Sequence, residues 1–288
     1  MTDLAVADVI LTSVRGAVVR LDRYVAELSL GDDVEAVHQA RVATRRLRSD
    51  LRTFAHWLDD FTVTELRGEL RWVGAELGVV RDLDVMRSGL RTRARGLPPT
   101  EAEAAEHVIR RLDADRSAAH TDLLAALRHP RYAHLHDALT QAAAHPPVNK
   151  HAGERARDVL APAVRKRWKA LRRAVGRLGE HPPDEALHAV RIRAKRVRYA
   201  AEAVAPAFGD DARVFAKKMA RLQDVLGDQH DTVVAIAWLA KTAHECTPGE
   251  AYAVGMLAQL ERIAGDELRA AYPSVWDEAR QKSLRAWM

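Results

Sequence analysis

The chain of 288 residues has one cysteine, Cys246. A single thiol closes no intramolecular disulfide, which removes the disulfide-stapled secreted scaffolds and fits a reducing compartment. Its plain reading is a small buried hydrophobe. Aromatic residues make up 5% of the chain, and β-branched residues other than valine are sparse, so little feeds a sheet. No run of ~20 apolar residues exists, so no membrane partner is expected. The N-terminal stretch has no basic segment before its apolar residues and is broken by Asp8 and Arg15, unlike a signal peptide. Glycine-rich phosphate loops, nucleophile elbows and Cys/His zinc spacings are all missing. These absences point to a cytoplasmic protein without a cofactor.

What is abundant is alanine, leucine and arginine, the composition of helices. Hydrophobic content is 48%, charged content 30% and the formal net charge +5. Such a chain has the length and apolar content for a sizeable core. The net charge is modest, so its distribution matters more than its sum.

The positive charge is concentrated in a stretch that occurs twice. Residues His38 to Phe54 read HQARVATRRLRSDLRTF, and His188 to Val204 read HAVRIRAKRVRYAAEAV. At a shift of 150, His38 meets His188, Arg41 meets Arg191, Arg45 meets Lys195, Arg46 meets Arg196 and Arg48 meets Arg198. On a helix turning ~100° per residue, His38, Arg41, Arg45, Arg48 and Arg52 fall within an arc of about 80°. His188, Arg191, Lys195 and Arg198 share that arc in the second copy. Ala40, Thr44, Leu47, Leu51 and Phe54 form a small and apolar flank, repeated by Val190, Ala194, Val197, Ala201 and Val204. Each copy therefore predicts a helix with one buried face and one basic stripe headed by a histidine. Like charges at this spacing oppose helix formation by a few tenths of a kcal/mol per pair. Acidic partners four residues away are nearly absent, so the stripes predict an anionic ligand rather than a solvated, salt-bridged face.

The rest of the chain is ordered around these stretches. Helical periodicity runs from Val6 to Leu28, and Gly31-Asp32-Asp33 breaks it with an aspartate available to cap the stripe helix. Leu58-Asp59-Asp60 is expected to end that helix. A further helix follows from about Val63 toward Leu90, with a weak point at Gly78. Pro98 and Pro99 stop and restart the chain, with Thr100 as the next cap, and Glu101 to Leu127 reads as helix. A short helix runs on to Ala144, and the stretch from His145 to His151 is the expected boundary. The order then restarts: Leu160 to Leu178 resembles Ile10 to Leu28. Leu226-Gly227-Asp228-Gln229-His230-Asp231 echoes Leu77-Gly78-Val79-Val80-Arg81-Asp82 at a shift of 149. The expectation is one all-α domain of two homologous, four-helix-bundle-like halves, 1–146 and 150–288, related by a pseudo-twofold axis that brings the stripes together.

The paired H-x-x-R-x-x-x-[RK]-[RK]-x-R helices, each followed by an L-G-x-x-x-D turn, resemble the CHAD family, the conserved histidine α-helical domain. The resemblance covers Asp3 to about Arg285. It implies two four-helix bundles, a basic channel between them that binds inorganic polyphosphate, and no catalytic activity of the family's own. The implied polyphosphate-binding residues are His38, Arg41, Arg45, Arg46, Arg48 and Arg52, with His188, Arg191, Lys195, Arg196, Arg198, Tyr199 and Lys218. Arg46 and Arg196 rest on the resemblance, since they lie roughly 120° from the stripe centre on the wheel. Two departures stand out. Arg81 replaces the His230 of the second turn, and Glu202 stands where the first stripe has Arg52, which predicts weaker anion binding at that end. Association with polyphosphate or other storage granules is a further expectation.

Arginine forks meet two phosphate oxygens at once and lysine offers a mobile charge, so a row of both follows a flexible polyanion without reading a sequence. Binding should weaken with salt and tighten from pH 8 to pH 6 as phosphate favours protonated imidazole. The nearest alternative is a nucleic-acid backbone, but no aromatic besides Tyr199 alternates with the stripe to stack bases. The other alternative is a metal-dependent phosphohydrolase using His230 and Asp231, but further ligands converging on a metal are wanting. Pairing of Asp82 and Asp231 with stripe arginines is the simpler reading. The Glu101 and Glu103 pair falls in a helical segment, with Ala105 where a triphosphatase of the CYTH type needs a basic residue.

Overall fold

The computed structural model describes residues 4–288, so Asp3, where the family pattern was expected to begin, lies outside the described residues. The described chain is all-α. Ten α-helices run in order: α1 (Val6–Leu28), α2 (Val34–Thr53), α3 (Asp60–Ala94), α4 (Pro99–Ile109), α5 (Arg111–Arg128), α6 (Pro130–Ala144), α7 (Ala156–Val175), α8 (Asp184–Phe208), α9 (Asp210–Thr242) and α10 (Pro248–Ala279). No strand occurs among the described residues, only isolated bridges between Ala5 and Arg155 and between Leu58 and Val148. Helix starts recur through the chain: Val6 and Ala156, Val34 and Asp184, and Asp60 and Asp210 are each separated by 150 residues. The single helix α10 occupies the place that α4 and α5 share, divided at Arg110.

Local chemistry sets several boundaries away from their expected places. Asp33 caps α2, accepting a hydrogen bond from the Glu35 amide at 2.8 Å. His38 and His188 lie a full turn inside their helices, so starting the helix is not their role. Helix α2 stops at Thr53, before Leu58-Asp59-Asp60, and a single 3-10 turn at Ala55–Trp57 follows. Asp59 instead opens α3, accepting from the Thr62 amide and hydroxyl at 2.9 and 2.8 Å. Pro98, not Thr100, occupies the cap of α4, with Pro99 as the first helical residue, where its missing N–H costs nothing. The one left-handed backbone among the described residues is Gly209, at φ 68°, where α8 turns into α9.

The Leu-Gly segments are not turns. Gly78 and Gly227 lie buried inside α3 and α9, which run unbroken for 35 and 33 residues. The physical reason is tertiary. A Cβ on Gly78 would stand 3.1 Å from Nη1 of Arg41, and one on Gly227 would stand 3.5 Å from Nε of Arg191. Gly78 lets the Arg41 guanidinium lie across the α3 backbone where a side chain would crowd it, whereas at Gly227 the Arg191 guanidinium lies at ordinary contact distance.

Both apolar flanks are in the core. Ala40, Leu47, Leu51 and Phe54 are buried, as are Val190, Ala194, Val197, Ala201 and Val204. Helices α2 and α8 pack directly on each other, flanked by α3 and α9. The core does not stop at the junction between 1–146 and 150–288. One cluster joins residues of α1, α2 and α3 to those of α7, α8 and α9. A second joins Leu90 and Ile109 to Leu239, Val254 and Leu257 at the far ends of α3, α4, α9 and α10.

Asp50 is wholly buried in this core. It accepts hydrogen bonds from the Ser13 hydroxyl at 2.7 Å and Nε of Arg46 at 3.2 Å. Burial outweighs both and pushes its carboxyl up to about 6. A carboxyl raised on folding favours the protonated native state, so stability is lost as pH climbs from about 4 to about 6. Asp50→Asn keeps an acceptor for Ser13 and removes the charge. It should raise the melting temperature at pH 7.5 by a few degrees, a gain on the order of 1–3 kcal/mol that disappears at pH 4. Thermal melts at the two pH values decide this; a lower melting point at pH 7.5 would mean that the Arg46 pair outweighs desolvation.

Candidate polyanion-binding cleft

A cleft of about 620 Å³ opens between α2, α3, α8 and α9. Helix α2 supplies His38, Arg41 and Arg45 to its lining, and α8 supplies Arg191, Lys195 and Arg198. The two stripes therefore meet on one cavity. Arg81 of α3 and His230 of α9, equivalent positions in the two repeats, complete the basic lining.

Arg41 and Arg198 are held by hydrogen bonds and ion pairs to their neighbours. Arg41 donates to the Gly78 carbonyl at 2.5 Å and pairs with Asp82 at 3.0 Å. Arg198 donates to Glu202 at 2.8 Å. Tyr199 is buried beneath the cleft, with the guanidinium carbons of Arg45 and Arg198 at 5.5 and 5.6 Å from its ring centroid. It orients two cations by cation–π contact and does not itself line the cavity. His188 sits just behind the lining, its ring 4.3 Å from that of His230.

The other expected site residues are placed elsewhere. Arg46 turns into the interface between α2 and α8, where it meets Asp50 and Glu202 and is nearly buried. Lys218 pairs with Glu278 of α10 at 3.0 Å. Arg48, Arg52 and Arg196 lie outside the cleft, at the far end of α2 and alongside it.

The cleft also has an acidic side that the stripes did not announce. Asp82, Asp224, Asp228 and Asp231 line it, four carboxylates against six arginine and lysine side chains. Three of them fall at spacings of four and three along α9, one face of that helix, and this spacing was the available signal. Of the two aspartates expected to pair with stripe arginines, Asp82 pairs with Arg41, whereas Asp231 makes no ion pair within 4.0 Å among the described residues and feels Arg191 only through space. Among the described residues, no group of three or more His, Cys, Asp or Glu side chains is placed to hold a metal ion.

Crowded, partly buried cations depress one another. Burial first, then Arg45, Arg191 and Arg41, push the Lys195 ammonium down to about 7, with Asp82 opposing. His38 is lowered by burial and by Arg81, Arg45 and Arg41. His188 is lowered by burial, Arg191 and Lys195, and His230 by burial, His188 and Arg191. On the other wall, burial raises Asp228 and Asp231. The free cleft thus sheds positive charge near neutral pH, and a bound polyanion restores it.

The chain is an all-α domain in which two arginine-rich helices converge on one mixed-charge cleft. The CHAD domain model matches residues 12–240, and the chain belongs to the CHAD domain family. An uncharacterized protein of Mycobacterium tuberculosis, Rv2226 in strain H37Rv and MT2285 in strain CDC 1551, is 34% identical over 250 residues, 83% of this chain. The chain spans about half the length of these curated relatives, the match covering 47% of each. Among solved structures, PptA from Streptomyces chartreusis superposes with a TM-score of 0.81 at 24% identity, covering 95% of this chain and 100% of its own. The CHAD domain from the plant Ricinus communis superposes with a TM-score of 0.76 at 24% identity, covering 99% and 93%. At this identity the two structures establish the shared fold.

Two measurements follow from the cleft. An anion raises the pKa of Lys195 and the imidazoles, so binding takes up protons and weakens as pH rises through about 7. With polyphosphate as the probe, Kd should be about tenfold weaker at pH 8 than at pH 6, and Lys195→Arg should flatten most of the difference. Equal wild-type values at both pH values would contradict this. Gly78→Ala should displace Arg41 and weaken binding several-fold without loss of helicity, whereas Gly227→Ala, with ordinary contact distance, should bind normally. Matching affinities for the two variants would remove the backbone crossing from the site.

Proposed function

We propose that the cleft binds inorganic polyphosphate, electrostatically and without turning it over. One observation carries the reading: Arg41 and Arg45 of α2 and Arg191, Lys195 and Arg198 of α8 line the same cavity. Polyphosphate binding is a known property of the CHAD family, which supports the reading. The phosphate chain lies against α2, α8 and Arg81, away from the carboxylates of α9, which keep the site from becoming an indiscriminate cation patch. Tyr199 is buried under two guanidiniums and no phenylalanine, tyrosine or tryptophan lines the cleft, which favours an inorganic chain over the stacked bases of a nucleic acid.

The same reading takes 1–146 and 150–288 as homologous halves about a pseudo-twofold axis. The Ala5–Arg155 bridge supports it, since residues 150 apart meet there antiparallel, with Val6 N–H to Glu154 O at 3.0 Å and Ala156 N–H to Leu4 O at 2.9 Å. The role assigned is retention of the protein on polyphosphate, including polyphosphate granules inside the cell. No helix among the described residues is long and apolar enough to cross a membrane.

Titration with polyphosphate at two salt concentrations tests the proposal. Wild-type affinity should fall steeply with salt, and replacing Arg41, Arg45, Arg191 and Lys195 with glutamate should reduce it at least a hundredfold with helicity unchanged. Nucleic acid should be displaced by polyphosphate at much lower concentration. Shortening of the chain on incubation with Mg²⁺ or Mn²⁺ would replace binding with hydrolysis as the function, and binding untouched by the four substitutions would move the site elsewhere.

A further inference from the structure

The basic face of α2 continues beyond the cleft. Arg48 and Arg52 share the stripe with Arg41 and Arg45, and they approach arginines from three other helices: Arg67 and Arg71 of α3, Arg167 of α7 and Arg196 of α8. Arg167 anchors the group, donating to the Ala163 carbonyl at 2.9 Å and to the Arg52 carbonyl at 3.2 Å. Arg48 Nη1 lies 3.8 Å from where a Cβ on Gly74 would stand, so this guanidinium also rests on α3. None of the six has a carboxylate within 4.0 Å among the described residues. Their mutual repulsion shows in their acidities. Arg52 is lowered by burial and then by Arg67, Arg196, Arg48 and Arg167, and Arg167 by burial and Arg196.

The internal repeat supplies its own control. At a shift of 150, Arg46 corresponds to Arg196, Glu202 to Arg52, Asp50 to Ala200 and Ser13 to Ala163. On the Arg46 side the cation is closed off by Asp50 at 3.2 Å and by Glu202, which also holds Arg198 at 2.8 Å. On the Arg196 side the corresponding acids are an arginine and an alanine. One copy of the arrangement is a finished ion-pair network, and the other is the same arrangement with its anion left out.

We propose that these six arginines form a second phosphate-chain site, separate from the cleft, which takes a further stretch of the polyphosphate already held there. This deepens the proposed function and rests on it. From Arg45 to Arg52 the distance along α2 is only about 10 Å, so a long chain seated in the cleft presents its next phosphates to the second site at high effective concentration. A chain of three phosphates fills one site and gains nothing from the other. The cleft alone therefore sets affinity for short chains, and both sites together set a preference for long ones.

The test compares tripolyphosphate with long-chain polyphosphate on the full chain and on the variant Arg67→Gln/Arg71→Gln/Arg167→Gln. Tripolyphosphate Kd should stay within about twofold, while long-chain Kd weakens about tenfold or more. Unchanged long-chain affinity overturns the second site and leaves the cleft reading intact. Wild-type protein that binds neither probe overturns both. Arg52→Glu gives an independent readout, since it installs the carboxylate that Glu202 supplies on the other side. It should raise the melting temperature of the free protein at low salt and abolish the long-chain preference; a lower melting temperature with the preference retained overturns the proposal.

Discussion

The packing of α2 on α8 is the constraint from which the site follows. Two helices that each carry a basic stripe repel one another, and their own stripes oppose them by a few tenths of a kcal/mol per like-charged pair. Against this stand the buried flanks. Full burial of a leucine or valine is worth about 1.5–3 kcal/mol, and Leu47, Leu51, Val190, Val197 and Val204 are all at or below 2% exposure. The apolar term wins by a wide margin, so the charges are carried to the cleft as passengers of the core. Small residues at Ala40, Ala43 and Ala194 keep the buried faces slim enough for other helices to pack close.

Once the stripes are forced together, their electrostatics acquire a function-like character. Lys195 has lost much of its hold on the proton, and three imidazoles are biased to the neutral form. Local partners offset part of the remaining repulsion. Asp82 answers Arg41, Glu202 answers Arg198, and Tyr199 steadies Arg45. The free cleft is undercharged, and the proposed polyanion would draw protons from solvent to restore its charge. The unpaired arginines beyond it show the same logic without the compensating acids.

The helical period made much of this legible from residues alone. His38, Arg41, Arg45, Arg191, Lys195 and Arg198 line one cleft, as the helical period leads one to expect, because one rotation angle fixes both the buried flank and the stripe. What a single helix cannot reveal is its neighbour at each level. Arg46 was assigned to the ligand through resemblance, but its position on the wheel puts it in the helix–helix interface, where Asp50 and Glu202 claim it. Lys218 was lost to Glu278, a partner 60 residues away in sequence. Gly78 looked like a helix breaker because propensity charges glycine about 1 kcal/mol, and tertiary packing of Arg41 supplied the reason to keep it inside a helix. Asp231 stood out beside His230, but Asp224 and Asp228 on the same face of α9 become meaningful only opposite a stripe contributed by other helices.

A crystal structure of the chain with polyphosphate bound tests the central claim most directly. The account predicts one phosphate chain in the cleft, contacting Arg45 of α2 and Lys195 of α8 within the same molecule. Phosphates held by one of these helices alone, or lying on an outer surface with the cleft empty, would contradict it.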